Sequence, residues 1–126
     1  MSNNMRKLQR EHQCLSLREV QLAELNILLA FRDFCDENNL LYGLCGGSLL
    51  GAVRHRGFIP WDDDIDVHLL RADFNKIFNM AVVGERIDKY ELHPYFYQTY
   101  GRDSMYIKMV DPTITVHEDG YRKNNN

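Results

Sequence analysis

The stretch that decides the fold of this chain is Gly46-Gly47-Ser48, followed after fifteen intervening residues by Asp64-Ile65-Asp66-Val67. Two adjacent glycines let the backbone turn sharply, and the N–H groups at the start of a following helix favour an anion such as phosphate. Two carboxylates separated by one residue lie on the same face of a strand. The combination predicts a site for metal-assisted transfer of a phosphoryl or nucleotidyl group.

The carboxylates of Asp64 and Asp66 are predicted to be the catalytic, metal-binding pair. In a strand they stand ~7 Å apart on one face, while Ile65 and Val67 point into the core. Because two carboxylates this close repel each other, one takes up a proton unless a cation lies between them. Mg²⁺, with Mn²⁺ as an alternative, removes this conflict. The preceding Asp62-Asp63 is interpreted as a loop or as support for the ligands, and an acidic loop that simply faces water is the alternative for the whole run.

The glycine turn is the predicted phosphate-binding and nucleotide-binding half of the site. Gly46, Gly47 and Ser48 open a short helix whose N–H groups can hold the donor phosphates. Arg54 follows in the same segment, and its guanidinium suits bidentate binding of phosphate oxygens. A plain helix N-cap at Ser48 is the alternative interpretation.

The composition fits one domain over residues 1–126. The chain has 126 residues, 44% of them hydrophobic, which is enough for one core. A formal net charge of −3 with scattered basic residues predicts no nucleic-acid partner. Segment 1–13 does not resemble a signal peptide and no apolar run approaches ~20 residues, so we expect a cytoplasmic protein without direct membrane insertion. The three cysteines, Cys14, Cys35 and Cys45, are expected to be reduced, and Cys35 and Cys45 are expected to be buried.

Hydrophobic periodicity predicts helices that alternate with short strands. Apolar residues at three- and four-residue steps, opened by a capping box of Ser16 and Glu19, predict an amphipathic helix. Short apolar runs bounded by Gly, Pro and Asn predict strands. The predicted order is helix 16–37, strand 40–45, helix 49–55, strand 65–69, helix 72–82, strands 90–99 and 105–110, and an edge over 113–117. This is an α/β (α+β) fold in which a mixed β-sheet is flanked by helices.

The stretch over residues 41–67, LYGLCGGSLLGAVRHRGFIPWDDDIDV, closely resembles the LicD family. That family belongs to the nucleotidyltransferase-fold superfamily and is related to the fukutin-type sugar phosphotransferases. The resemblance implies transfer of phosphocholine, or a similar phospho-alcohol, from a CDP-alcohol donor such as CDP-choline to a sugar hydroxyl of a cell-surface glycan precursor, in the cytoplasm. By motif position, Gly47 and Ser48 correspond to the superfamily's phosphate-binding turn, and Asp64 and Asp66 to its metal-binding pair.

The resemblance also implies a third carboxylate on a later strand, within an apolar-Asp-apolar stretch that is absent after Asp119. The acids that would have to replace it are Glu91, Asp103, Asp111 or Asp119 itself. The polar tail 122–126 carries no signal that ends an element. We therefore expect a domain truncated at its C-terminus, and poor turnover by these 126 residues alone.

Three further interpretations are open. The alternate acids of the run 62–66 have the spacing of a calcium-binding EF-hand loop with Asp73 at its twelfth position, although Val67 stands where that loop requires glycine. A catalytically silent relative that only binds nucleotide is the second. The tyrosines of segment 95–106 admit a choline-binding aromatic cage, although packing of half-buried strands is their commoner use.

Overall fold

The computed structural model describes residues 15–114. Over this range the chain forms three helices and five strands, and the predicted α/β (α+β) class is confirmed. The predictions for Cys14, Asp119, positions 115–117 of the last edge and the tail 122–126 lie outside the described residues. The helices are α1 Leu17–Glu37, α2 Gly46–Arg54 and α3 Arg71–Val82, and the strands are β1 Tyr42–Leu44, β2 Val67–Leu69, β3 Arg86–Ile87, β4 Tyr90–Thr99 and β5 Arg102–Val110.

The strands lie in two small sheets instead of the single mixed sheet expected. β1 pairs with β2, and β3, β4 and β5 form a separate antiparallel sheet in that order. The second sheet arises because Tyr100 and Gly101, with φ of 53° and 70°, form a two-residue turn that folds β5 straight back on β4. β5 therefore begins at Arg102, three residues before the start that side-chain alternation predicts.

Contacts divide the chain into two compact units, and the division falls within α1. The first unit contains α1 up to Leu28 together with Tyr42–His68, and the second contains Leu29–Leu41 and the chain from Leu69 onward.

Among residues 15–114, no helix combines the length and the apolar character needed to cross a bilayer.

The start of α1 is fixed by the predicted capping box. The Glu19 N–H donates to Ser16 Oγ at 3.1 Å, and the Ser16 N–H donates to Glu19 Oε1 at 3.3 Å. These two bonds satisfy N–H groups that no carbonyl of the helix can reach. The predicted and observed helix therefore agree to within one residue.

The second unit packs α3 against the face of β4. Its buried side chains include Cys35, whose thiol pKa is raised to about 11 by burial and by the charges of Asp36 and Asp73. This thiol is unreactive at neutral pH, as a packing cysteine should be. Cys45, in contrast, is only half-buried. The buried apolar set is Phe31, Cys35, Leu40, Ile77, Ala81, Ile87, Tyr90 and Leu92.

In the first unit, Gly51 of α2 packs directly on the segment that returns from the helix. A Cβ at Gly51 would lie 2.5 Å from the Gly57 carbonyl oxygen and 3.0 Å from the Ile59 nitrogen. The Gly51 carbonyl also accepts hydrogen bonds from the N–H groups of His55 and Gly57. Gly51 therefore sets how closely residues 57–59 approach α2, and through them where the acidic run begins.

Replacing Gly51 by alanine should destabilise the fold. The added methyl meets backbone atoms that cannot rotate away, and overpacking of this kind costs about 1–3 kcal/mol, which outweighs the better helix propensity of alanine. Urea unfolding of Gly51→Ala measures the loss. Gly57→Ala is the matched control, because a Cβ there meets nothing within 4 Å; an equal loss in both variants would contradict the packing explanation.

Candidate functional site

The acidic run 62–66 is an irregular segment that leads into β2, which begins at Val67 instead of the predicted Ile65. The Asp66 N–H donates to Ser48 Oγ at 2.8 Å, and the Asp66 carbonyl accepts from the Cys45 N–H at 3.1 Å. Because a side-chain hydroxyl takes the Asp66 N–H, the strand ladder starts one residue later. The alternation of strand side chains therefore does not position Asp64 and Asp66.

The structure groups the acids differently from the sequence pattern. Asp62, Asp63 and Asp64 each bring one carboxylate oxygen to within 4.8 Å of the others, and Asp66 lies outside this group. The Asp63 N–H donates to Asp62 Oδ1 at 3.1 Å, which helps to fold the three residues onto one side. We call Asp62, Asp63 and Asp64 the acidic triad. Asp64 belongs both to the triad and to the pair expected from the sequence.

The acidic triad touches the glycine turn. A Cβ at Gly47 would lie 2.8 Å from Asp62 Oδ2, so the absence of a side chain there admits the carboxylate. Gly46 has a φ of +55°, a backbone conformation that favours glycine. The two halves of the site inferred from the sequence therefore meet, and Asp62 is the acid that joins them.

The helix that follows the glycine turn starts earlier than expected. Its N-cap is Cys45, which makes no side-chain capping bond, and Ser48 is already the third residue of α2. Because no side chain caps α2, the N–H groups of its first turn are available to an external acceptor. The Ser48 hydroxyl accepts from Asp66 and keeps its own proton to donate.

Arg54 lies in the last turn of α2. It is eight residues from Gly46, which corresponds to ~12 Å along the helix axis. The exposed Arg54 side chain donates from Nε to His55 Nδ1 at 3.3 Å. Its position complements the negative end of the helix dipole, and its binding of phosphate stays a prediction.

Two residues of α1 that the sequence analysis did not single out face the acidic segment. Gln21, only 3% exposed, donates from Nε2 to the carbonyl oxygens of Asp62 at 2.8 Å and Pro60 at 3.4 Å. Glu24 lies three residues further along the same helix face. The signal that could have found them is their position among Val20, Leu25 and Leu28 on the apolar side of an otherwise amphipathic helix.

The acids of the site disfavour one another's ionised forms. Burial raises the pKa of the Glu24 carboxyl to about 7, and the charges of Asp63, Asp64 and Asp62 add to the rise. Partial burial raises the pKa of Asp64 to about 6, with further contributions from its hydrogen bond with Asp62 and from the charge of Asp66. Together with Asp66 these are five carboxylates, and none of them forms an ion pair with a group of residues 15–114.

A divalent cation fits this set of residues. All the donors are carboxylate oxygens, which hard cations such as Mg²⁺ and Mn²⁺ prefer. Glu24 Oε2 is buried and has no hydrogen-bond partner among residues 15–114, so within this part of the chain one oxygen of the set lacks the donor or positive charge that burial requires. The residues present therefore suit a bound cation on geometric and chemical grounds.

Local roles describe three further residues, Val67, Asp73 and His68. Val67 is extended in β2, and Asp73 accepts the Leu41 N–H at 3.2 Å, so the run does not form the turn of an EF-hand. His68 packs over Gly43 of β1, where a Cβ would lie 2.8 Å from its Nε2.

Of the acids proposed to replace the third carboxylate, the three within residues 15–114 are engaged within the second unit. Glu91 pairs with Arg86 and His93, each at 2.9 Å. Asp103 accepts from Gln98 at 2.7 Å. Asp111 accepts from the N–H and the hydroxyl of Thr113, which lowers the pKa of its carboxyl.

Two of the tyrosines considered for an aromatic cage, Tyr95 and Tyr106, pack against each other across the β4–β5 hairpin. The rings of Tyr95 and Tyr106 stack at 4.8 Å with 5° between their planes, which leaves no space for a quaternary ammonium group between them. Lys108 Nζ lies 5.3 Å from the centre of the Tyr95 ring. Cross-strand packing, the commoner use of such residues, describes this pair.

Comparison with known proteins gives the family of the acidic segment and its surroundings. The family model described as "LicD/FKTN/FKRP, nucleotidyltransferase domain" matches residues 39–121, more than half of the chain. The lipopolysaccharide cholinephosphotransferase LicD of Haemophilus influenzae is 50% identical over 66 residues, which are 52% of this chain and 25% of that protein. The ribitol 5-phosphate transferase FKRP of Homo sapiens is 56% identical over 32 residues, 25% of this chain and 6% of that protein.

An uncharacterised protein of Rickettsia prowazekii is 51% identical over 37 residues, 29% of this chain and 14% of that protein. The chain therefore spans a quarter or less of the length of these curated relatives. No solved structure matches it significantly.

Replacing Gln21 by methionine should loosen the acidic segment while preserving side-chain volume. The variant leaves buried carbonyl oxygens without their donor, and each such loss costs about 1–3 kcal/mol. Urea unfolding measures the change. Gln98→Met, which alters an exposed bond to Asp103, is the control and should remain within about 0.5 kcal/mol of the unaltered chain.

The stability of the chain without divalent cations should decrease as the pH rises from about 5 to about 8. The folded state holds a proton on Glu24 up to about pH 7 and on Asp64 up to about pH 6, whereas the unfolded chain releases both near pH 4. Urea unfolding in EDTA across this range measures the effect. The double variant Glu24→Gln, Asp64→Asn should show a flatter profile, and equal slopes would contradict this origin.

Proposed function

Because the chain belongs to the LicD/FKTN/FKRP nucleotidyltransferase-domain family, we propose that it forms part of a phosphotransferase acting on glycans. The donor is a CDP-linked alcohol, such as CDP-choline, and the transferred group is phosphocholine or a similar phospho-alcohol. The acceptor is a sugar hydroxyl of a cell-surface glycan precursor, and the reaction takes place in the cytoplasm. Two relatives, a cholinephosphotransferase and a ribitol 5-phosphate transferase, support this class of reaction and differ in the alcohol.

The observation that carries the proposal is the contact between Asp62 and Gly47. It joins an acidic loop to a helix N-terminus suited to phosphate, and a phosphotransferase needs both beside one another. A helix N-terminus alone suits many anions, and an acidic loop alone is common on protein surfaces. Their contact, within the segment that matches the family, supports a shared substrate.

In this proposal the donor diphosphate binds at the start of α2. The N–H groups of Gly46 and Gly47 point towards its oxygens, and the Ser48 hydroxyl donates its remaining proton to one of them. The hydrogen bond from Asp66 to Ser48 Oγ fixes the direction in which that proton points. Arg54 is kept as a further phosphate-binding residue of the proposal.

Asp64 is the proposed central ligand of the cation, with Asp66 from the sequence pattern and Asp62 from the triad beside it. When bound, Mg²⁺ or Mn²⁺ draws charge from a phosphoryl oxygen and lowers the pKa of the attacking hydroxyl. The carboxylates hold their position because Gln21 fixes the backbone carbonyl of Asp62.

The proposed reaction is a single displacement at phosphorus. The sugar hydroxyl oxygen attacks the phosphorus next to the alcohol, a new P–O bond forms, and the bond to the bridging oxygen of the nucleotide breaks. CMP leaves with that oxygen, and the hydroxyl proton passes to water or to a carboxylate of the run 62–66. The chain's contribution is to place the two oxygens in line and to keep the acids on one side.

Calorimetric titration of Mg²⁺, with and without CDP-choline, tests the proposal. We expect CDP-choline to tighten Mg²⁺ binding, and Asp64→Asn to abolish the tightening because it removes the central ligand. Asp33→Asn, an exposed acid of α1 paired with Arg32, is the matched control and should behave as the unaltered chain does. Release of CMP in the presence of a glycan acceptor is followed in parallel.

Three outcomes separate the candidate functions. Nucleotide-dependent Mg²⁺ binding with CMP release supports a transferase, and the same binding without release supports a silent nucleotide-binding relative. Mg²⁺ and nucleotide that bind independently, or not at all, would contradict the proposed site.

A further inference from the structure

Glu24 of the first unit carries a buried side-chain oxygen, Oε2, that has no hydrogen-bond partner among residues 15–114. A buried oxygen without a donor costs free energy, and a buried carboxylate costs more. Glutamate at this place therefore calls for a partner that is not an amino-acid side chain of residues 15–114.

Glu24 shares a face of α1 with Gln21, whose amide binds the segment that carries the acidic triad. The Gln21 amide holds the Asp62 carbonyl at 2.8 Å and the Pro60 carbonyl at 3.4 Å, which places this face of α1 against the segment that carries the triad. Glu24, three residues on, lies on the same face and one turn further along. Burial raises the pKa of Glu24 most, and the charges of Asp63, Asp64 and Asp62 raise it further, in agreement with this geometry.

The triad by itself approaches a cation from one segment only. Three consecutive residues supply ligands from one side, whereas Mg²⁺ and Mn²⁺ take about six oxygens around them. A carboxylate from α1 would supply a ligand from a second element. The burial of Oε2 also keeps that ligand shielded, which strengthens its attraction to a cation.

We propose that Glu24 is a cation ligand contributed by helix α1, which binds the divalent ion through its buried Oε2 together with the acidic triad. The inference rests on the proposed function, since it deepens the description of the same site. In this proposal α1 supplies the additional carboxylate that the family resemblance implies on a later strand.

The test is Mn²⁺ binding, followed by electron paramagnetic resonance, to the unaltered chain, to Glu24→Gln and to Glu37→Gln. We expect Glu24→Gln to weaken Mn²⁺ binding at least about tenfold, which is the usual scale for loss of a supporting metal contact. Glu37→Gln makes the same exchange at an exposed position of the same helix and should leave the affinity unchanged.

A second measurement needs no variant of Glu24 and so does not depend on how Glu24→Gln folds. In the unaltered chain, the carboxyl carbon resonance of Glu24 should shift during a Mg²⁺ titration with the same midpoint as that of Asp64. A Glu24 resonance that stays in place while that of Asp64 shifts would overturn the inference and leave the proposed function intact. Absence of any Mg²⁺ or Mn²⁺ binding to the unaltered chain would overturn both.

Discussion

The buried amide of Gln21 is the contact on which the first unit depends. Residues 59–62 are irregular, and the Ile59 carbonyl accepts the Asp62 N–H in a turn. A buried carbonyl needs a donor, and Gln21 supplies one amide group to several of them. A single side chain thereby attaches the acidic segment to α1, and it does so across a separation of 41 residues in sequence.

The same attachment brings like charges together, so the arrangement is electrostatically unfavourable without a cation. Burial raises the pKa of Glu24 to about 7 and that of Asp64 to about 6, and the charges of the neighbouring acids add to both rises. Groups that destabilise a fold in this way often serve a bound ligand, since selection for stability alone would remove them. The acids of the site are thus better explained by binding than by the stability of the fold.

The second unit shows how a correct strand prediction can still misstate what the side chains do. The aromatic alternation over 90–110 does form two long strands, with Tyr95 opposite Tyr106. The rings stack on each other, because directly opposed side chains of an antiparallel pair are close enough to touch. The alternation of side chains predicts the two strands, whereas the register set by the Tyr100-Gly101 turn decides which rings lie opposite each other.

The sequence by itself determined the helices, the capping box of Ser16 and Glu19, the glycine turn, the acidic run and the family. These features depend on residues close together in the chain, whose spacing dictates which of them share a face. The tertiary structure decided that Asp62 meets Gly47, that Ser48 binds the Asp66 N–H, and that Gln21 binds the Asp62 carbonyl. Local periodicity could not give these contacts, because each of them joins segments whose approach is set by packing and by the pairing of buried polar groups.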